Sequence, residues 1–239
     1  PLGIKHTIIS HSLCIASYQA LGERSEQQDF FLTDNDNTFV LADGMSGLPY
    51  GDIAGKLTAD SALWSIQLAK QRFAYWKDKK LLGGRIMRSV NWTVFKKGQQ
   101  LGSTKGIGST LTIIVFGEKQ FYIYSIGDSP AYVLRENKLY ILTPKDRNED
   151  GYHTKAIGIQ KTAPKEFFYT DQLLANDLFL LASDGVADYI STENLQKILS
   201  KTLDTMESCN QSCKQIIGEA ERFGSKDNMT ACIIKNIVY

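Results

Sequence analysis

The sequence predicts an α+β fold with layered sheets, built as a single domain over residues 1–239. Strand-like apolar runs occupy both ends of the chain, and a pair of helical patterns is inserted between them. No repeat, low-complexity tract or linker divides the 239 residues, a length that suits one well-cored domain or at most two small ones.

Leu13 to Tyr18, Phe30 to Thr33 and Thr38 to Ala42 read as short strands, and Asp34-Asn35-Asp36-Asn37 as a tight-turn cluster. The period then changes. Ile53, Leu57, Ala62, Leu63, Ile66, Leu68 and Ala69 recur at helical spacing, as do Leu81, Ile86, Val90, Val94 and Leu101. Gly83-Gly84 places the start of the second helix near that pair. Leu111 to Phe116, Phe121 to Ile126, Ala131 to Leu134 and Leu139 to Leu142 return to strand character and read as an antiparallel meander with hairpin connections. A polar stretch, Lys145 to Lys155, precedes a strongly apolar strand over Asp177 to Ala182. Ser191 caps a following helix, with Asn194 where a capping box has Glu. Another helix is expected over roughly Gln211 to Phe223, and Met229 to Ile237 makes the closing strand.

Composition excludes several classes. The chain is 43% hydrophobic and 22% charged, as soluble globular proteins are. A net charge of +1 leaves no basic footprint for nucleic acid. No apolar run approaches the roughly 18 residues of a membrane span. No secretion signal is seen, and Pro1-Leu2-Gly3 reads as a tag-cleavage remnant. Cys14, Cys209, Cys213 and Cys232 form no CxxC pair and are expected as reduced thiols of a cytoplasmic protein.

Four aspartates share one setting. Asp43, Asp128 and Asp184 each close an apolar run, and Asp227 opens one. A carboxylate at the end of a buried strand is costly to desolvate unless something compensates it. Several of them, far apart in sequence, suggest one shared compensator, and hard divalent cations take oxygen ligands. The pattern points to a multinuclear Mg/Mn site.

The motifs then line up in order: Arg24…Asp29, Asp43-Gly44-Met45-Ser46-Gly47, Gly108-Ser109-Thr110, Gly127-Asp128-Ser129, Ser183-Asp184-Gly185 and Asp227-Asn228. Each is weak alone, and six in this order resemble the metal-dependent PPM (type 2C) protein serine/threonine phosphatases, from about Tyr18 to Ile234. Met45 after the Asp-Gly turn looks like the bacterial branch. The resemblance implies a four-layer α-β-β-α sandwich, two antiparallel sheets flanked by helix pairs, with metals in a cleft at one edge. It implies two Mn2+ or Mg2+ ions bridged by Asp43, the first held also by Asp184 and Asp227, the second by the Gly44 carbonyl. Asp29 acts through metal-bound water, Asp128 with Asp184 matches the position of a third ion, and Arg24 holds the substrate phosphate. The implied reaction is direct attack of a metal-bridging hydroxide on phosphoserine or phosphothreonine proteins, the products of Ser/Thr kinases, by an enzyme expected to be a monomer. No Cys-x5-Arg loop supports a cysteine phosphatase instead.

The chain departs from the family pattern in places. Gln28 takes the usual Glu slot, Met45 stands where eukaryotic members have His, Ser46 and Leu48 replace Gly and His, and Pro130 replaces Arg. Between about 143 and 158 the family's flap subdomain is shortened, which predicts a more open cleft and leaves third-ion binding open. Other motifs fail. Asp34-Asn35-Asp36-Asn37 has Phe39 and Met45 where a calcium loop needs Gly and Glu, and the glycine-rich stretches at 51–56 and 98–105 lack the P-loop spacing. His6, His11 and His153 lie outside every motif and are expected to be exposed; Trp64, Trp76 and Trp92 are expected in packing roles. Two rivals stand beside the general phosphatase: a regulatory phosphatase specific for one partner, and a pseudophosphatase scaffold that binds without turnover.

Overall fold

A computed structural model describes residues 11–72, 77–149 and 154–238. Pro1-Leu2-Gly3, the exposure expected of the three histidines and the packing expected of Trp76 all fall outside the described residues and side chains. The chain forms β1 (His11–Ala20), β2 (Asp29–Thr33), β3 (Thr38–Asp43), α1 (Gly51–Lys70), α2 (Lys79–Gln100), β4 (Leu111–Phe116), β5 (Gln120–Ile126), β6 (Ala131–Arg135) and β7 (Lys138–Ile141). It continues with β8 (Phe167–Gln172), β9 (Leu178–Ala182), α3 (Asp184–Ala187), α4 (Thr192–Leu199), α5 (Met206–Arg222) and β10 (Met229–Val238).

The strands make two antiparallel five-stranded sheets, in the orders β1-β10-β9-β6-β7 and β2-β3-β4-β5-β8. Three apolar clusters glue four layers together. Between the sheets, Phe39, Leu41, Ile114 and Phe121 face Val133, Phe179, Leu181 and Ile234. Phe179 packs its ring 4.9 Å from Phe116 and 4.8 Å from Phe121. On the outer face of the second sheet, Val40, Ala42, Ile113 and Val115 meet Ala59, Ala62 and Ile66 of α1 and Ile86, Val90 and Val94 of α2. On the outer face of the first sheet, Leu178, Leu180 and Ile233 meet Leu195 and Ile198 of α4 and Cys213, Ile216 and Ile217 of α5. The result is the α-β-β-α sandwich, and it explains the unbroken apolar runs: strands covered on both faces need no polar alternation.

The differences from the sequence reading have physical causes. The expected meander is two hairpins in two sheets: β4 pairs with β5, the chain crosses at Gly127-Asp128, and β6 pairs with β7 and β9. Helix α2 starts at Lys79, capped by the Asp78 carboxylate accepting from the Leu81 N–H at 2.9 Å, so Gly83-Gly84 lies inside it. There a Cβ on Gly83 would stand 2.0 Å from the Tyr124 ring, so the glycine serves close packing and not a boundary. Helix α5 begins at Met206, earlier than expected, and Thr205 caps it. Strand β8, a sheet edge, and the single turn α3 had not been foreseen. The Ser191 cap stands as expected, accepting from the Asn194 N–H at 3.3 Å. The Asp34 cluster is a turn: Asp34 Oδ1 accepts from the N–H groups of Asp36, Asn37 and Thr38, and its other oxygen pairs with Lys70.

Candidate active site

The site lies at one edge of the sandwich, where both sheets end. Antiparallel pairing of β2 with β3 sets Asp29 directly opposite Asp43. Two carboxylates facing across strands repel one another. Neither enters an ion pair with a Lys or Arg among the described residues. Asp184 opens α3 just beyond β9, and Asp227 lies two residues before β10, the strand that joins β9 in the other sheet. Asp128 lies in the crossing from β5 to β6.

The remaining motif residues position these carboxylates. The Asp43 N–H donates to Thr110 Oγ1 at 3.1 Å, the Asp43 carbonyl accepts from the Thr110 N–H at 2.8 Å, and Thr110 Oγ1 lies 2.9 Å from Ser129 Oγ. The Gly-Ser-Thr and Gly-Asp-Ser motifs therefore act as a clamp on the Asp43 turn. Gly44 admits no side chain, because a Cβ would stand 1.9 Å from the Gly51 carbonyl oxygen. On the other side, Thr230 donates its hydroxyl to Asp29 Oδ2 at 2.7 Å, and its N–H donates to Ser183 Oγ at 2.9 Å. Asn228 crosses between sheets: its side-chain oxygen accepts from the Gln28 N–H at 2.8 Å and its amide donates to the Leu21 carbonyl at 3.0 Å. Gly185 lets Asn228 approach, since a Cβ there would stand 2.1 Å from the Asn228 carbonyl oxygen.

Electrostatics reflect the crowding. Burial, and then the charges of Asp29, Asp184, Asp128 and Asp227, push the Asp43 carboxyl well above the usual range. Burial raises Asp29 to about 6, against hydrogen bonds from Thr230 and Ser183 that favour the charged form. Asp184 is raised by burial and by Asp128, with Arg147 opposing. Asp29 Oδ1 is buried with no hydrogen-bond partner among the described residues. Among those residues no three His, Cys, Asp or Glu side chains close into a ligand cluster. Two guanidinium groups instead draw off carboxylate oxygens: Arg24 Nη2 bonds Asp227 Oδ2 at 2.7 Å, and Arg147 bonds Asp128, Asp184 and Asp188.

An orphaned buried oxygen, a facing carboxylate pair and an all-oxygen donor set suit hard divalent cations at Asp43, Asp29, Asp227, Asp184 and the Gly44 carbonyl. Asp128 is different. Its buried carboxylate is covered by Arg147, from the polar stretch before Lys155, a residue that no motif in the sequence singles out. The described residues beside Arg147 are held against the site. The Asp146 N–H donates to the Gly127 carbonyl at 3.3 Å, Asp146 Oδ2 accepts from the Gly127 N–H at 3.2 Å, and Lys145 Nζ bonds Asp188 at 2.6 Å. Arg24 does reach the site and stands at its exposed rim. Gln28 lies against Gly51 at the start of α1, where a Cβ would meet its Oε1 at 2.6 Å. The four cysteines are buried free thiols, and burial pushes Cys209 up to about 11 and Cys213 up to about 12.

Known proteins agree with this architecture. A putative protein phosphatase of Mycoplasma genitalium is 25% identical over 246 residues, covering 88% of this chain and 90% of that protein. The serine/threonine phosphatase stp of Listeria welshimeri is 23% identical over 226 residues, covering 84% of this chain and 85% of its own. Among solved structures, the catalytic domain of the serine threonine protein phosphatase PstP in complex with two manganese ions superposes with a TM-score of 0.79 at 22% identity, over 95% of this chain and all of that one. Serine/threonine phosphatase Stp1 from Staphylococcus aureus superposes with a TM-score of 0.80 at 21% identity, over 94% of this chain and 95% of its own. The family model described as protein phosphatase 2C matches residues 18–218, and the chain belongs to that family of protein serine/threonine phosphatases.

Proposed function

We propose that this protein removes phosphate from phosphoserine and phosphothreonine side chains of other proteins with two Mn2+ or Mg2+ ions at the acidic edge of its sandwich. The observation that carries the reading is Asp29 facing Asp43 across β2 and β3 without a protein cation, with Asp29 Oδ1 buried and unbonded among the described residues. Such a pair is stable as two anions only with a cation between or beside them. Asp43, Asp184, Asp227, Asp29 and the Gly44 carbonyl would hold the ions; the PstP catalytic domain carries two manganese ions on the same fold. When bound, such ions would lower the pKa of coordinated water and neutralise phosphoryl oxygens.

The chain's own residues do the rest. Thr110 and Ser129 fix the Asp43 turn, and Thr230 fixes Asp29, so the carboxylates are preorganised by hydrogen bonds outside the reacting shell. Arg24 at the rim offers a planar fork of donors for the substrate phosphate, sharing or leaving Asp227 to do so. Met45 has no proton to give, so this position cannot protonate the leaving alkoxide.

The test is hydrolysis of p-nitrophenyl phosphate and of a phosphothreonine peptide with Mn2+, with Mg2+ and with chelator. Turnover of both that stops with chelator is expected. Turnover of the small ester alone would replace the general reading with a partner-specific enzyme, and none from folded protein would replace it with a scaffold.

A further inference from the structure

The acidic edge has two halves that are compensated differently. Asp29 and Asp43 meet no Lys or Arg among the described residues, and Asp227 meets only the exposed Arg24. Asp128, Asp184 and Asp188 instead converge on one side chain. Arg147 directs Nε to Asp128, Nη2 to Asp184 and Nη1 to Asp188, so its fork holds one carboxylate from the β5–β6 crossing and two from the start and C-cap of α3. Its side chain is 17% exposed and that of Asp128 is fully buried. A guanidinium is always charged and spreads its donors in a fixed plane, so it can serve several carboxylates where one small ion would otherwise sit. The backbone carrying it is tied down. Asp146 makes a reciprocal pair of bonds with Gly127, the residue before Asp128, and Lys155 Nζ bonds Asp146 Oδ1 at 2.8 Å. Beyond it, Ile157 exchanges backbone bonds with Ser109 of the Asp43 clamp, and the Gly158 N–H donates to Asn91 Oδ1 at 2.9 Å.

We propose that Arg147 is a built-in counter-ion of the active site, standing against Asp128 and Asp184 in place of a divalent cation, so that the protein loads two ions and not three. This rests on the two-ion reading of Asp43, Asp184 and Asp227 given above. The stretch 143–149 then has a function of its own: it delivers a fixed positive charge to the Asp128 side of the site. The third ion that the sequence led us to consider at Asp128 with Asp184 has its ground taken by the protein. Asp128 is thereby a positioning residue for Arg147 and not a metal ligand.

The test counts bound Mn2+ at saturation, by equilibrium dialysis with elemental analysis, on the full chain. The wild type should hold two ions and Arg147→Ala three, with circular dichroism confirming that the variant is folded. Three ions on the wild type, or two on the folded variant, would overturn the proposal. Because loss of Arg147 leaves a buried carboxylate unpaired and can unfold the variant, Asp128→Asn in the otherwise native chain supplies a second measurement. It should keep two ions at unchanged affinity; loss of an ion, or a weakening of about tenfold or more, would mean that Asp128 ligates metal. A wild type that binds no Mn2+ would overturn the two-ion reading itself, a result distinct from either of those.

Discussion

Asp29 and Asp43 are an unfavourable pair that the fold enforces. Strand pairing places them opposite one another, and burial pushes both carboxyls up from their ordinary values. The protein spends hydrogen bonds from Thr110 and Thr230 to hold them there, which makes sense only if a ligand completes the set. Arg24 is the counterpart at the rim. Its bond to Asp227 is solvent-exposed on both sides, so it contributes little to stability. On the function proposed above its value is to the substrate. We expect Arg24→Ala to raise KM with kcat less affected, by roughly ten- to a hundredfold, the loss of a charge-assisted contact of about 1.5 to 3 kcal/mol. An unchanged KM for a phosphothreonine peptide would take Arg24 out of the site.

At the scale of elements, the glycines divide into those that pack and those that do not. Gly83 in α2 lies against Tyr124, whose hydroxyl donates to the Lys79 carbonyl at 2.9 Å and whose ring is buried. Alanine would favour the helix by about 1 kcal/mol, but a Cβ 2.0 Å from the ring must push the helix off the sheet. Overpacking of about 1 to 3 kcal/mol or more outweighs the propensity gain, so Gly83→Ala should lower Tm by several degrees. Gly218 in α5 meets nothing within 4 Å of its Cβ position and serves as the contrast: Gly218→Ala should raise Tm slightly. Thermal denaturation of the two variants side by side decides whether contact or propensity governs. Reading Gly83-Gly84 as a helix boundary failed here for the same reason: Asp78 sets the start, and glycine answers a neighbour 41 residues away in sequence.

At the scale of the molecule, the acidic edge ties stability to metal. Ions bound to the folded chain and not to the unfolded one stabilise it by about 2.7 kcal/mol per site at a hundredfold excess over Kd. For a protein of this size that corresponds to a rise in Tm of roughly 5 to 11 °C. Asp43→Ala should lose most of that Mn2+-dependent rise together with turnover. It should melt no lower than the metal-free wild type, because the substitution removes an uncompensated buried charge. A variant that kept the full Mn2+ shift would move the centre of the site away from Asp43. Among the described residues no helix is long and apolar enough to cross a membrane.

Much of this was legible in the chain. Unbroken apolar runs marked the strands of a double sheet, helical spacing marked α1 and α2, and Asp-centred turns at strand ends marked carboxylates that the fold gathers at one edge. Those signals are local: a strand covered on both faces must be apolar throughout, and a buried carboxylate at its end is conspicuous by cost alone. The family resemblance supplied the layer order. What local patterns could not supply was which strand pairs with which. The crossing at Gly127-Asp128 splits the expected meander between two sheets, and β8 pairs at an edge where a half-exposed Phe-Phe-Tyr-Thr run carries little pattern. Nor could the sequence reveal Arg147, one charged residue in a polar stretch, until the tie between Asp146 and Gly127 laid it over Asp128, Asp184 and Asp188. The sequence by itself determined the fold class and the carboxylates, because burial and period are written residue by residue. Only the tertiary structure decided which carboxylates face one another and which already have a cation, because charge compensation depends on distance in space and not on position along the chain.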